Sequence, residues 1–178
     1  MNGIEADINA LDEIVKIKGL SGIEKILLAT DGTVTTILDV LNGKTSVKIL
    51  GRETKKADKA LSELLGIYEG EEVSCRIVLM HKNELPLIYA ESLIPLKMPD
   101  ENLKTDLLFS DMPIGRILRK HNIESRREIV GVSAAHGGDM LKGLFKSGGE
   151  FLSREYRIIS GGKTLVWIKE MFPSDYFK

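Results

Sequence analysis

A hairpin signature close to the end of the chain constrains the fold more than any other feature of the sequence. Two strand-like runs, residues 156–159 and 164–172, flank residues 160–163, whose central pair of glycines suits a two-residue turn. A polar segment at residues 81–84 separates two further β-rich runs in the same way. Because hairpins join antiparallel neighbours, these patterns predict an antiparallel sheet.

Helical patterns alternate with the other strand-like runs. Apolar residues recur at helical spacing in residues 4–19, and two shorter helices are predicted at residues 22–30 and 34–41. The other predicted elements are helices at residues 57–65 and 113–120 and strands at residues 45–53, 72–80, 87–95 and 125–135. No parallel βαβ series and no internal repeat is visible, and we interpret residues 137–149 as a glycine-containing connection. The sequence therefore predicts an α+β fold with helices covering one face of the sheet.

Length and composition favour a single domain over residues 1–178, with residues 1–20 as an N-terminal helix. The net charge is -1, which gives no field to attract nucleic acid. Cys75 is the only cysteine, so an internal disulfide is impossible and a reducing, cytoplasmic location is expected. The sequence has no apolar leader and no run of about eighteen apolar residues, so neither secretion nor a membrane span is expected.

Arg76 is the first candidate for chemistry. Strand alternation puts it on the same face as Ser74 and Val78, so its guanidinium emerges from the middle of a predicted strand. An ion pair with a neighbouring strand explains such an arginine, and so does an anion that it binds as part of a functional site. The pattern alone leaves both explanations open.

Glu170 is the second candidate, because it shares a strand face with Val166 and Ile168. A carboxylate at the end of such an apolar row is unfavourable unless it is paired, exposed or used in acid–base chemistry. A salt bridge to Arg76 or Lys169 is the structural alternative to a functional role.

Two helix starts form the third candidate. Residues 30–34, Thr-Asp-Gly-Thr-Val, and residues 110–115, Ser-Asp-Met-Pro-Ile-Gly, each contain an aspartate that can cap a helix, and proline suits a first turn. Both segments are expected to present free backbone amides at the positive end of a helix dipole, where a carboxylate binds well. Water or the helix's own cap is the ordinary occupant of such a position.

The other reactive residue types form no recognisable site. His81, His121 and His136 are scattered without metal-ligand spacing, so no metal is expected. The paired glycines match neither a P-loop nor a dinucleotide fingerprint, so nucleotide binding is not indicated and no cofactor is expected. The arginines within residues 126–127 and 154–157 are able to reach a second anion, although alternating charges on a solvated strand face explain them about as well.

The segment at residues 107–118, LLFSDMPIGRIL, resembles the Pro-Leu-Gly helix start, followed by a strand, of the chorismate pyruvate-lyase family. Residues 27–35, the strand of Arg76, residues 90–95 and the closing hairpin that ends at residues 170–173 carry the same resemblance, specifically to the archaeal-type branch. No single motif is distinctive, but their order and spacing together cover nearly the whole chain.

The resemblance implies a six-stranded antiparallel sheet whose helices enclose one aromatic acid, and removal of pyruvate from chorismate to leave 4-hydroxybenzoate. By matching position, Arg76 and the backbone amides of Val34 and Ile114 would hold the ring carboxylate, while Glu170 would face the ring hydroxyl. Glu91 stands where bacterial members carry an arginine, which leaves the partner of the second substrate carboxylate open. The archaeal-type resemblance also implies cofactor biosynthesis of the methanopterin type.

Two other functions are compatible with the same fold. Ligand domains of some transcription regulators resemble it, but they follow a winged helix-turn-helix segment, and residues 1–20 are too few for such a domain. A carrier that only sequesters an aromatic acid would keep the cavity and show no turnover. If the protein is a lyase, either Glu170 or the substrate's own side-chain carboxylate is able to accept the proton.

Overall fold

The computed structural model of the protein describes residues 12–147 and 149–178. Residues 12–16 are helical, whereas the part of the predicted N-terminal helix up to residue 11 lies outside the described residues. Within the described ranges, no helix is long and apolar enough to cross a membrane.

The regular elements that follow are numbered in chain order. The helices are α1 (Gly22–Ala29), α2 (Val34–Asn42), α3 (Lys59–Leu65), α4 (Glu101–Phe109), α5 (Ile114–Lys120) and α6 (Asp139–Phe145). The strands are β1 (Ser46–Lys56), β2 (Glu72–Lys82), β3 (Leu85–Pro95), β4 (Arg126–His136), β5 (Glu150–Ser160) and β6 (Lys163–Pro173). A short 3-10 helix, Ser174–Tyr176, follows the last strand.

The strands form one antiparallel sheet in the order β1-β2-β3-β6-β5-β4, which confirms the predicted α+β class and the six-stranded sheet. Hairpins join β2 to β3 and β5 to β6, at the two places where the sequence predicted them. Their turns need left-handed backbone angles, and these are found at Asn83 (φ 51°), Gly161 (φ 55°) and Gly162 (φ 76°). Strands β3 and β6 pair at the centre of the sheet.

Helices pack on both faces of the sheet. On the first face, α1 and α2 bury residues such as Leu28 against one half of the sheet, and α4 and α5 bury residues such as Leu107 against the other half. The sequence predicted helices on this face. The structure adds α3 and α6 on the second face, where Leu65 and Phe145 pack against apolar strand residues.

Helix α4 was not predicted from the sequence. The helical period is weak because few apolar residues, among them Leu103 and Leu107, are buried on it. A capping signal was nevertheless present, since the carboxylate of Asp100 accepts hydrogen bonds from two amides of the first turn. Of the helix start followed by a strand that the family resemblance implied at residues 107–118, the helix start is confirmed, since α5 begins at Ile114, whereas the segment itself contains no strand, because the next strand, β4, begins only at Arg126.

Helix α6 replaces the connection that was interpreted at residues 137–149. Gly138 precedes the helix and Gly143 lies inside it, and glycine disfavours helical conformation. Leu141 and Phe145, one turn apart, are both buried against the second face of the sheet. Tertiary packing therefore outweighs the local preference of the glycines.

The order helix, helix, strand, helix, strand, strand occurs twice along the chain. We name α1, α2, β1, α3, β2 and β3 the first repeat, and α4, α5, β4, α6, β5 and β6 the second repeat. Helices α2 and α5 begin 80 residues apart, at Val34 and Ile114, and strands β2 and β5 begin 78 residues apart, at Glu72 and Glu150. The sheet order is symmetric about the central β3–β6 pair. The interpretation that the chain has no internal repeat was therefore wrong.

The two repeats resemble each other in conformation more than in sequence. The best sequence match lies at the helix turns, where LLATDGTVTTIL at residues 27–38 aligns with LLFSDMPIGRIL at residues 107–118. Strands β1 and β4 each have an irregular register, just before Gly51 and Gly131. Because most other equivalent positions differ, the repeat is visible mainly in the fold.

Gly137, between β4 and α6, lies against the ring of Phe151, and a Cβ atom at this position would be 2.5 Å from two of its carbons. We expect Gly137→Ala to lower the free energy of unfolding by about 1–3 kcal/mol, since the buried ring has to move. Gly143→Ala is the matched control: its Cβ meets nothing within 4 Å and lies in a helix, so the variant should gain about 0.5–1 kcal/mol. Urea denaturation measures both, and equal stabilities would contradict the packing described here.

Candidate active site

A cavity lies between the first face of the sheet and the starts of α2 and α5. It is narrow and open on one side, and the space free of protein atoms amounts to about 450 Å³ only when the solvent at its mouth is included. All four positions selected from the sequence, Arg76, Val34, Ile114 and Glu170, line it. Much of the remaining wall is apolar and comes from both repeats: Val47, Val78, Met80, Ile158 and Ile168. The structure thus brings the four positions together around one space.

The starts of α2 and α5 present backbone amides to this cavity. Thr33 and Pro113 occupy the cap positions, and neither makes a side-chain capping hydrogen bond. The amides of Val34 and Ile114 are the first in their helices, where no carbonyl of the same helix is available to them. Both helix starts therefore offer donors to whatever occupies the cavity.

The predicted aspartate caps are corrected by the structure, because α2 and α5 begin three residues after Asp31 and Asp111. The turns are instead closed by hydroxyl groups. The side chain of Thr30 accepts a hydrogen bond from the amide two residues later at 3.0 Å, and that of Ser110 does the same at 3.1 Å. This arrangement leaves the helix amides without a capping carboxylate.

The two helix starts touch each other at Gly115. A Cβ atom at Gly115 would lie 2.8 Å from the methyl carbon of Thr33 and 3.4 Å from a guanidinium nitrogen of Arg127. Only a residue without a side chain allows so close an approach. The contact closes the roof of the cavity between the two repeats.

Arg76 is buried in the sheet, with 1% of its surface exposed. One terminal nitrogen donates hydrogen bonds to the backbone carbonyls of Ser110 at 2.7 Å and Met112 at 3.2 Å. Its Nε is buried and has no protein partner. The pKa of Arg76 is lowered to about 10, first by burial and then by the charge of Arg52, while Asp111 opposes the shift. The group remains cationic at neutral pH, and a bound anion would relieve its desolvation.

Glu170 pairs with an arginine that the sequence had not connected to it. Nε of Arg154 donates a hydrogen bond to one carboxylate oxygen at 2.7 Å, and the hydroxyl of Tyr156 donates to the other at 3.0 Å. The salt bridge to Arg76 or Lys169 that served as the structural alternative is absent, since Lys169 pairs with Glu155 instead. The side chain of Glu170 is therefore fixed by two hydrogen bonds within the wall of the cavity.

Arg154 connects Glu170 to the turn between α1 and α2. One of its terminal nitrogens donates hydrogen bonds to the carbonyls of Leu27 at 2.9 Å and Thr30 at 2.8 Å. Burial alone would lower the pKa of Arg154, but the charge and hydrogen bonds of Glu170 and Tyr156 raise it above its usual value. The buried guanidinium is thus fully compensated in charge by Glu170.

Arg76 and Arg154 occupy equivalent positions in the two repeats, 78 residues apart. Each donates to a backbone carbonyl in the helix turn of the other repeat, Arg76 to Ser110 and Arg154 to Thr30. The residue facing Arg154 on the neighbouring strand is Glu170, whereas the residue facing Arg76 is Ser92.

This equivalence shows what is missing beside Arg76. In the second repeat, Nε of Arg154 holds the carboxylate of Glu170, and in the first repeat Nε of Arg76 has no protein partner. Ser92, the equivalent of Glu170, has a hydroxyl group in place of the carboxylate. The space beside Arg76 is therefore complementary to a carboxylate that comes from outside the protein.

Tyr156 is a cavity residue that the sequence reasoning did not single out. Burial and the neighbouring Glu170 raise its pKa, so its hydroxyl stays protonated and acts as a donor. Strand alternation does place it on the face of Arg154, but the sequence could not show that this face is the buried one. On the opposite face, Arg126 and Arg157 both pair with Glu128 outside the cavity.

Glu91, noted as a departure from the bacterial pattern, faces away from the cavity. It is paired in register with Lys169 and accepts a hydrogen bond from the hydroxyl of Tyr89 at 3.0 Å. Its neighbour Ala90 lines the cavity instead. Among the residues that the structure describes, no group of three histidine, cysteine, aspartate or glutamate side chains is arranged to hold a metal ion.

Solved structures of domains from transcriptional regulators share this fold. The effector domain of PhnF from Mycobacterium smegmatis matches with a TM-score of 0.69 at 11% identity, over 82% of this chain and 91% of that domain. A GntR-family transcriptional regulator from Bacillus cereus matches with a TM-score of 0.59 at 18% identity, over 75% of this chain and 94% of that one. At such low identities the likeness concerns the fold alone.

The chain itself belongs to the Rv2949c-like chorismate pyruvate-lyase family, which matches residues 28–178. A relative from Methanocaldococcus jannaschii, named "Putative lyase MJ0807", is 40% identical over 156 residues, which cover 84% of this chain and 77% of the relative. The chorismate pyruvate-lyase of Mycobacterium tuberculosis is 29% identical over 170 residues, which cover 92% of this chain and 85% of that enzyme. The resemblance deduced from the sequence is confirmed, and the chain is a member of a lyase family.

The buried pair of Arg154 and Glu170 generates a stability prediction. We expect Arg154→Met to lower the free energy of unfolding by about 3–5 kcal/mol, because it leaves a buried carboxylate unpaired. Adding Glu170→Gln to this variant should restore part of the loss. Lys169→Met is the control: it removes a half-exposed pair with Glu155 on the other face, and should cost about 1 kcal/mol or less. Guanidinium denaturation compares the variants, and similar losses for the two single changes would contradict this account.

Proposed function

We propose that this protein is a chorismate pyruvate-lyase, which eliminates pyruvate from chorismate and leaves 4-hydroxybenzoate. Membership of the lyase family supports the reaction class. The observation that carries the proposal is the unpartnered Nε of Arg76 beside Ser92, at the position where the equivalent arginine of the second repeat holds a carboxylate. Such an arrangement fits a ligand that brings its own carboxylate.

In this proposal the ring carboxylate of chorismate binds between Arg76 and the starts of α2 and α5. Nε of Arg76 donates to one carboxylate oxygen, as Nε of Arg154 donates to Glu170. The backbone amides of Val34 and Ile114 provide further donors, and the helix dipoles favour the negative charge. Each charge-assisted hydrogen bond contributes about 1.5–3 kcal/mol to binding.

Glu170 receives the other end of the ring. Arg76 and Glu170 project from the same sheet face on strands that are two positions apart, which corresponds to about 10 Å between strand axes. A six-membered ring with a carboxylate at one end and a hydroxyl at the other fits that separation. Each oxygen of Glu170 accepts one hydrogen bond from the protein, so each retains capacity for the ring hydroxyl.

The reaction requires little covalent participation from the protein. The bond between the ring and the ether oxygen breaks, the enolpyruvyl group leaves with the electron pair, and the adjacent ring carbon loses its proton. The electrons of that C–H bond complete the aromatic ring, and protonation of enolpyruvate gives pyruvate. The protein's part is to exclude water, fix the reactive conformation and accept the proton. Glu170 is the acceptor within the cavity, and the substrate's side-chain carboxylate is the alternative.

Incubation of the pure protein with chorismate, followed by an assay for pyruvate, tests the proposal. We expect wild-type turnover, and we expect Glu170→Gln to lower kcat by about 10²–10⁴-fold with a smaller change in KM. Glu155→Gln, on the opposite sheet face, is the control that should keep wild-type turnover. Absence of pyruvate with the wild-type protein would reject the lyase activity and favour a non-catalytic ligand-binding module. An unchanged kcat in Glu170→Gln would show that the substrate's own carboxylate, and not Glu170, accepts the proton.

The carboxylate site beside Arg76 has a separate test. In Ser92→Glu, the first repeat receives the side chain that the second repeat already has, so Arg76 should bind this internal carboxylate. We expect affinity for 4-hydroxybenzoate to fall by about tenfold or more, while the thermal unfolding midpoint stays at or above that of the wild type. Ser92→Ala should bind within about threefold of the wild type. Calorimetry measures both, and wild-type affinity in Ser92→Glu would remove the proposed site.

A further inference from the structure

Arg127 is a second cationic residue of the cavity wall, and it has no role in the binding of the ring carboxylate or in the proton transfer proposed above. It projects from β4 onto the same sheet face as Tyr156 and Ile158. Its terminal nitrogens donate hydrogen bonds to the carbonyl of Asp31 at 3.4 Å and to the hydroxyl of Thr33 at 3.1 Å. Its Nε is buried and has no protein partner. Because a guanidinium carries five N–H donors, Arg127 retains donors for a ligand.

The charges around the cavity do not balance without a ligand. Of the lining residues that the structure describes, Glu170 is the carboxylate, and Arg154 compensates it. Neither Arg76 nor Arg127 has a described carboxylate within ion-pair distance. With Glu170 already paired to Arg154, the cavity wall carries two cations that lack an ion-pair partner, and 4-hydroxybenzoate with its single carboxylate cannot pair with both. A ligand with two carboxylates can.

The two cations serve different ends of the cavity. Arg76 lies on β2 and donates to the turn between α4 and α5, whereas Arg127 lies on β4, on the other side of the strand that carries Glu170, and donates to the turn between α1 and α2. Arg127 acts on Tyr156, where its charge opposes the rise in the tyrosine pKa that burial and Glu170 cause. The guanidinium of Arg127 therefore lies within electrostatic reach of the hydroxyl that contacts Glu170.

We infer that Arg127 binds the side-chain carboxylate of a dicarboxylate substrate at the Glu170 end of the cavity. This inference rests on the proposed function. In chorismate the enolpyruvyl ether is attached to the ring carbon next to the one that bears the hydroxyl, so its carboxylate lies beside the hydroxyl end. When the ether bond breaks, Arg127 also stabilises the charge that develops on the departing group. The equivalent residue of the first repeat is Val47, so this second cation belongs to one side of the cavity alone.

The inference makes Arg127 a determinant of specificity. The dicarboxylate substrate contacts both arginines, whereas the product 4-hydroxybenzoate contacts only Arg76. Loss of Arg127 therefore weakens the substrate and spares the product. A purely structural role, in which Arg127 only holds Thr33 in place, would weaken both ligands together.

The test uses a dianion that cannot react, 3-[(1-carboxyvinyl)oxy]benzoate, and the monoanion 4-hydroxybenzoate, each titrated calorimetrically. In Arg127→Met we expect the Kd of the dianion to rise by about tenfold or more, while that of 4-hydroxybenzoate stays within about threefold. Arg127→Lys should recover part of the dianion affinity. Arg126→Met is the matched control, because Arg126 is the adjacent arginine of β4 and pairs with Glu128 outside the cavity.

Equal losses for the two ligands, or an unchanged dianion affinity in Arg127→Met, would overturn the assignment. The pyruvate assay on the wild-type protein is independent of this result. Absence of turnover together with a selective loss of dianion binding would reject the lyase activity and keep the dicarboxylate site. Turnover by the wild type without a selective loss of dianion binding in Arg127→Met would keep the lyase activity and reject the role of Arg127 as the dicarboxylate site.

Discussion

A buried arginine that reaches from the sheet to the helix turn of the other repeat is the interaction on which this structure depends. It occurs twice: Arg76 donates to the carbonyl of Ser110, and Arg154 donates to the carbonyl of Thr30. Each contact fixes the end of one helix and the start of the next, since backbone carbonyls buried in these turns need donors. The roof of the cavity is thus attached to its floor by both buried arginines, and each of these attachments joins one repeat to the other.

The site arises from a difference between these otherwise equivalent halves. In the second repeat Glu170 supplies the counter-charge of Arg154, and in the first repeat Ser92 supplies none to Arg76. A buried guanidinium without a counter-charge is costly, so it persists where a ligand supplies the charge. The second repeat therefore contains an internal ion pair, and the first repeat contains an arginine without a carboxylate partner.

Strand alternation found two charged side chains of the cavity wall, because a charged residue in an apolar row is conspicuous in any sequence. It placed Arg76 and Glu170 on the sheet, and the structure puts both on the wall of one cavity. Arg154 was noted only as an arginine able to reach a second anion, and Tyr156 was not singled out, because alternating charges look the same on a solvated face and on a buried one. Helix α6 was missed because Leu141 and Phe145 are too few to give a period, and their burial depends on strands that are distant in sequence.

The seam between the repeats runs through the roof of the cavity, where Thr33 meets Gly115. The two helix starts approach closely here because Gly115 has no side chain. Further along the helices, α5 and α2 are joined by the ion pair of Arg116 with Asp39 at 2.6 Å and by a hydrogen bond from Arg119 to Thr36 at 3.1 Å. Strands β3 and β6 join the repeats firmly at the floor. The two halves are therefore joined both below and above the cavity, and its outline is set by contacts on two sides.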